Sequence, residues 1–163
     1  MKTLRIVLPA IVLLGLALPL AAAEKADPSW EKLKTLVGEW EGTYEGKSAR
    51  VSYALVSNGT VLMESMETDD ATQMVTLYHP DGTSLLMTHY CAMGNQPRMR
   101  SKGFKDGRID FTYVDATNLK ASDADRMTRL VVSFPDASHL VQEWTSMEGP
   151  KEIVSRFEFV RKK

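Results

Sequence analysis

The chain is 163 residues long, with 20 basic and 21 acidic side chains, a net charge of −1 and 44% hydrophobic residues. That length fits one ordinary domain beyond any leader. The near-neutral charge excludes the electrostatic footprint of a nucleic-acid binder, and the apolar content excludes a disordered chain.

Residues 1–23 have the three parts of a secretory signal peptide. Lys2 and Arg5 form a positive start, Ile6 to Leu20 is apolar, and Ala21 and Ala23 are small residues before a cut at Glu24. The apolar run is short for a transmembrane helix, which needs ~20 residues, and no later segment is apolar enough to span a bilayer. A periplasmic or secreted location follows as the expectation, with residues 24–163 as a single domain. Cleavage removes Lys2 and Arg5 and leaves a net charge of −3. Cys91 is the only cysteine, so no internal disulfide is possible.

Asp27-Pro28 suits the start of a short helix, with Asp27 as N-cap and Pro28 in the first turn. Trp30, Leu33 and Val37 share its face, and Gly38 suits a left-handed cap at its end. After Gly38 the pattern is β throughout. Strands are expected at Glu39–Glu45, Ala49–Ser57, Thr60–Thr68, Thr72–Tyr78, Ser84–Cys91, Ser101–Lys105, Arg108–Val114, Arg126–Phe134, His139–Ser146 and Lys151–Arg161. Asn58-Gly59 reads as a two-residue hairpin turn, His79-Pro80-Asp81-Gly82 and Asp106-Gly107 as further turns, and Ala92–Arg100 and Asp115–Asp125 as loops. No helix between strands is long enough for a parallel crossover. The fold expected is therefore all-β: an up-and-down antiparallel barrel of about ten strands with a short N-terminal helix. A two-sheet sandwich is the alternative.

Alternation along each strand gives the candidate interior. One face collects Val51, Tyr53 and Leu55; Leu85, Met87, His89 and Cys91; Ile109, Phe111 and Tyr113; Leu130, Val132 and Phe134; Leu140, Gln142 and Trp144; and Ile153, Ser155, Phe157 and Phe159. His139 falls opposite the apolar set of its strand.

The stretch Leu33-Lys34-Thr35-Leu36-Val37-Gly38-Glu39-Trp40-Glu41-Gly42, a short helix leading into Gly-x-Trp, resembles the entry of calycin (lipocalin-like) barrels. It is similar to bacterial secreted lipocalin-like barrels of unknown function and, more distantly, to nitrobindin-like haem-binding barrels. His89-Tyr90-Cys91-Ala92-Met93-Gly94-Asn95-Gln96-Pro97-Arg98-Met99 also looks like a run from the secreted family. The resemblance implies a barrel whose end is plugged by Trp40 and whose interior holds a small ligand. For the haem-binding relatives it implies a histidine near the C-terminus, for which His139 is the nearest analogue. The last strand has none.

The function expected is binding of a small apolar or amphipathic molecule in the barrel interior, with Trp40, Tyr53, Met87, His89, Cys91, Phe111, Trp144 and Phe157 as lining. The alternative is a haem or soft-metal (copper) protein using His89 and Cys91, two residues apart on one face, or His139. A Cys91–His89 pair oriented by Asn95 or Gln96 would be the enzymatic reading. Methionines are numerous but form no Met-x-Met array. No phosphate loop, nucleophile elbow or paired metal motif is present, so no cofactor is expected and the residues favour binding over catalysis.

Overall fold

The structure, a computed structural model, describes residues 28–68, 71–122 and 124–163. The leader expected at residues 1–23 and the expected N-cap Asp27 lie outside the described residues. One short helix, α1 (Pro28–Lys34), precedes ten strands: β1 (Gly38–Tyr44), β2 (Lys47–Val56), β3 (Val61–Thr68), β4 (Ala71–Asp81), β5 (Ser84–Tyr90), β6 (Gln96–Lys105), β7 (Arg108–Thr117), β8 (Arg126–Ser133), β9 (His139–Glu148) and β10 (Lys151–Arg161). Each strand pairs antiparallel with its sequence neighbours, and β1 pairs with β10 to close the barrel. Closure leaves the sheet no free edge. The expected barrel is the observed one, and the sandwich is not.

The seam between β1 and β10 depends on Gly42. It stands opposite Phe159, and a Cβ there would lie 1.9 Å from the carbonyl oxygen of Glu158. Only glycine lets the two backbones approach this closely. Beside the seam, α1 covers one end of the barrel. Leu33 and Leu36 are fully buried, and the Lys32 ammonium lies 4.7 Å from the Phe134 ring centroid. The Trp40 indole N–H donates to the Leu36 carbonyl at 2.8 Å. Arg161 stacks on the Trp40 ring at 4.1 Å and donates to the carbonyls of Thr35, Val37 and Ala137. The last strand thereby locks the post-helix turn against the barrel end.

Several boundaries differ from expectation. The helix stops at Lys34, so the 3.6-residue spacing lapses. Leu36 is buried in place of Val37, which is exposed. Gly38 opens β1 with φ +128° and does not cap the helix. Asn58-Gly59 lies within a four-residue connection, because Val56 pairs with Val61; Ser57, Asn58 and Gly59 all have positive φ. His79, Pro80 and Asp81 belong to β4. The segment expected as the loop Ala92–Arg100 becomes strand from Gln96, with buried Pro97 next to a register shift between Arg98 and Met99. A proline is tolerated where the ladder is already interrupted. β7 likewise runs to Thr117.

The interior parity holds along most strands. Leu85, Met87, Ile109, Phe111, Leu130, Val132, Leu140 and Phe159 are buried. Leu55 and Ile153 share that parity but are exposed, since each lies near a strand end, beyond the packed interior.

Candidate functional site

The up-and-down topology places α1 and Trp40 at one end of the barrel, and Tyr44, the end of β3 and the starts of β4 and β10 at the other. The helix-side interior is filled: Leu62, Tyr78, Leu85, Met87, Met99, Ile109 and Phe111 are fully buried. Toward the other end a cavity of about 70 Å³ remains, lined by Tyr44, Met66, Met74, His89, Met127, Trp144, Ser155 and Phe157.

Register explains the convergence. Met66 of β3 stands directly opposite Met74 of β4. Thr76, two residues on and therefore on the same face, stands opposite His89 of β5. Met74 and His89 are thus diagonal neighbours, within reach for long side chains. β8 and β9 contribute Met127 and Trp144. Tyr44 stacks on Phe157, with centroids 4.4 Å apart, and its hydroxyl hydrogen-bonds Ser155 Oγ at 3.0 Å. These two hydroxyls therefore satisfy each other at the cavity wall.

His89 is the histidine among the described residues that line this space. Its ring sits 4.5 Å from that of Trp144, and Nδ1 shares a 2.9 Å hydrogen bond with Thr76 Oγ1. Its Nε2 is buried with no hydrogen-bond partner. Burial pushes the imidazole pKa down to about 4, so the ring is neutral at neutral pH. When Nδ1 carries the proton and donates to Thr76, Nε2 is left as a buried acceptor without a partner.

Beneath the cavity lies a polar cluster that linear reading missed. Trp144 Nε1 donates to Gln142 Oε1 at 2.9 Å. Gln142 Nε2 donates to the Tyr53 hydroxyl at 2.5 Å and to Glu64 Oε2 at 2.9 Å. The Tyr78 hydroxyl donates to the same oxygen at 2.8 Å. Burial raises the Glu64 pKa, opposed by hydrogen bonds from Tyr78, Tyr53 and Gln142. Burial and the adjacent carboxyl push Tyr53 and Tyr78 well above the ordinary phenol range. The cluster fixes the Trp144 indole through Gln142, so one wall of the cavity is held by a connected network.

Of the eight expected lining residues, the structure brings His89, Trp144 and Phe157 to the cavity. Tyr53 belongs to the Glu64 cluster. Met87 and Phe111 are packing, with Phe111 against the Tyr78 ring. Trp40 lies at the helix end under Arg161. Cys91 is buried just beyond β5, its amide bonded to the Asn95 carbonyl, and it is not part of the cavity wall. Burial raises its thiol pKa, which opposes a thiolate. His139 faces outward, as its parity implied, with Nδ1 2.8 Å from Asp136 Oδ2.

Haem does not fit these residues. His139 is on the outer surface, and the cavity beside His89 is about 70 Å³, against ~300 Å³ or more for sites that enclose large ligands. Among the described residues no three His, Cys, Asp or Glu side chains converge as a metal site, and no helix is long and apolar enough to cross a membrane.

The barrel is similar to the solved structure of Rv2717c from M. tuberculosis, at 17% identity and TM-score 0.56, covering 85% of this chain and 100% of that one. At that identity the likeness is one of fold. No family model and no curated protein matches the chain.

Proposed function

We propose that the protein binds a small apolar molecule, or the apolar end of an amphipathic one, in the cavity between Met66, Met74, Met127, Trp144 and Phe157. The observation that carries this reading is His89 Nε2, buried and without a partner beside an otherwise apolar space. A buried polar atom left unpaired costs about 1–3 kcal/mol, and a ligand with one suitably placed polar atom recovers that cost. About 70 Å³ holds only a few heavy atoms. Methionine side chains, with three rotatable bonds, widen such a space readily. Export through the leader at residues 1–23 to a periplasmic or secreted location accompanies this reading.

The test has two parts. Protein purified under native conditions is analysed by mass spectrometry for co-purified small molecules. Short-chain alcohols are then titrated while Trp144 fluorescence is followed, in a background with Trp30 and Trp40 replaced by phenylalanine. A saturable response that Met74→Phe abolishes by filling the cavity is the expected result. No co-purified molecule and no saturable response would overturn the reading.

A further inference from the structure

The same cavity, and the same unpartnered imidazole nitrogen, carry a second reading with a different occupant, because three of the eight described residues that line it are methionines. We propose that Met66, Met74 and Met127, together with His89 Nε2, form a binding site for a soft monovalent cation, specifically Cu(I).

Four features support the assignment. First, the donors have the right chemistry: thioethers and imidazole select Cu(I), whereas Mg²⁺, Ca²⁺ and Mn²⁺ take carboxylates, carbonyls and water. Among the described residues, none that lines the cavity is a carboxylate. Second, the donors come from rigid elements in fixed register. Met66 and Met74 are a direct cross-strand pair, and His89 is one step away through its own pairing with Thr76. Third, His89 already has the outer-shell partner that ligating histidines use. Thr76 Oγ1 holds the ring through Nδ1 at 2.9 Å, and in the tautomer with the proton on Nδ1 the unpartnered Nε2 keeps its lone pair for a metal. Fourth, the competing hard donors are engaged. The Tyr44 and Ser155 hydroxyls bond each other, and the Trp144 indole bonds Gln142.

This donor set differs from the His89–Cys91 pair suggested by spacing along β5. Cys91 lies outside the cavity wall, so the site needs no thiolate. Coordination uses neutral donors and therefore releases no proton.

The full chain is titrated with Cu(I) under ascorbate, in competition with the chelator bicinchoninate, and the complex is examined by X-ray absorption. One Cu(I) per chain with mixed nitrogen and thioether sulfur coordination is expected. Met66→Leu/Met74→Leu, which conserves volume and apolar character, should weaken Cu(I) binding at least tenfold, and His89→Phe should do the same. Cys91→Ser and the exposed Met93→Leu should leave binding unchanged. Absence of stoichiometric binding overturns the proposal. So does a Cu(I) affinity unaffected in the double methionine variant, or one lost in Cys91→Ser. Because the leucine variant keeps an apolar cavity, it should still respond to short-chain alcohols, so failure of the metal site and failure of the small-molecule reading give different results. Near-UV circular dichroism confirms that each variant is folded, and the X-ray absorption of the unmodified protein tests the ligand set without any variant.

Discussion

Gly42→Ala tests whether the barrel depends on close approach at its seam. The added methyl would lie 1.9 Å from the Glu158 carbonyl oxygen, 2.9 Å from its carbonyl carbon and 3.0 Å from Phe159 Cα. Non-bonded contact requires about 3.5 Å, so β1 and β10 must separate locally by roughly 1.5 Å, enough to break the ladder bonds around the Gly42–Phe159 pair. Overpacking costs about 1–3 kcal/mol, and each lost bond adds about 1 kcal/mol. The sum, about 3–5 kcal/mol, is a large part of a typical ~5–15 kcal/mol stability. Urea denaturation should show the midpoint falling by about 2 M for an m-value near 2 kcal/mol/M. Hydrogen exchange should speed up first in β1 and β10. Gly46→Ala is the control: its φ is +77° and no atom lies within 4 Å of the added methyl, so it should cost only about 1 kcal/mol of backbone strain. A Gly42→Ala loss below about 1 kcal/mol, or one no larger than that of Gly46→Ala, would refute the seam argument.

Three further outcomes follow from the interior and the closed end. His89 has its pKa lowered from 6.5 to about 4 by burial, so its stabilising effect is complete above pH 6.5 and is lost as pH falls toward 4. The loss is about 3 kcal/mol, and the part of the urea-measured pH dependence due to this residue should vanish in His89→Phe. Glu64 has the opposite sign: with its pKa raised by burial, the native state binds the proton more tightly. Its contribution is therefore greatest below the ordinary carboxyl value and falls as pH rises through the folded value; Glu64→Gln should flatten that decline while keeping an acceptor for Tyr78 and Gln142. Arg161→Ala removes the stack on Trp40 and three carbonyl contacts, and should cost about 2 kcal/mol in urea denaturation, with Arg161→Lys recovering less than half because an ammonium lacks the planar fork.

How much of this was legible in the sequence depends on the range of the interaction. Period-two alternation, which is local, placed Leu85, Met87 and His89 inward and His139 outward, and the absence of crossover helices implied the meander. Turn composition was less dependable. Gly94 lies in a turn as its type suggests, but Pro97 belongs to β6, which begins at Gln96 and has a register shift beside Pro97. The Glu64 cluster was out of reach of spacing arguments, because its members are joined across the barrel: Gln142 is 78 residues from Glu64 and 89 from Tyr53. A lone glutamate in the run Leu62-Met63-Glu64-Ser65-Met66 signals burial only once its alternation is followed: Leu62, Glu64 and Met66 are all buried on one face.

The methionines show the same limit most directly. A search along the chain for Met-x-Met finds no array, since Met66 and Met74 sit on different strands and Met127 lies on β8, well beyond both. Antiparallel pairing brings Met66 and Met74 into direct opposition, and barrel closure brings β8 to the same cavity. The relevant signal was therefore two-dimensional. With the connection between the third and fourth strands centred near residue 70, positions summing to 140 stand opposite one another. Met66–Met74, Glu64–Thr76 and Leu62–Tyr78 all obey that rule. Folding the sequence about that centre joins Met66 to Met74 and, through the next hairpin, to His89. The third methionine and Trp144 require the closed barrel as well, because no hairpin connects their strands to the fourth.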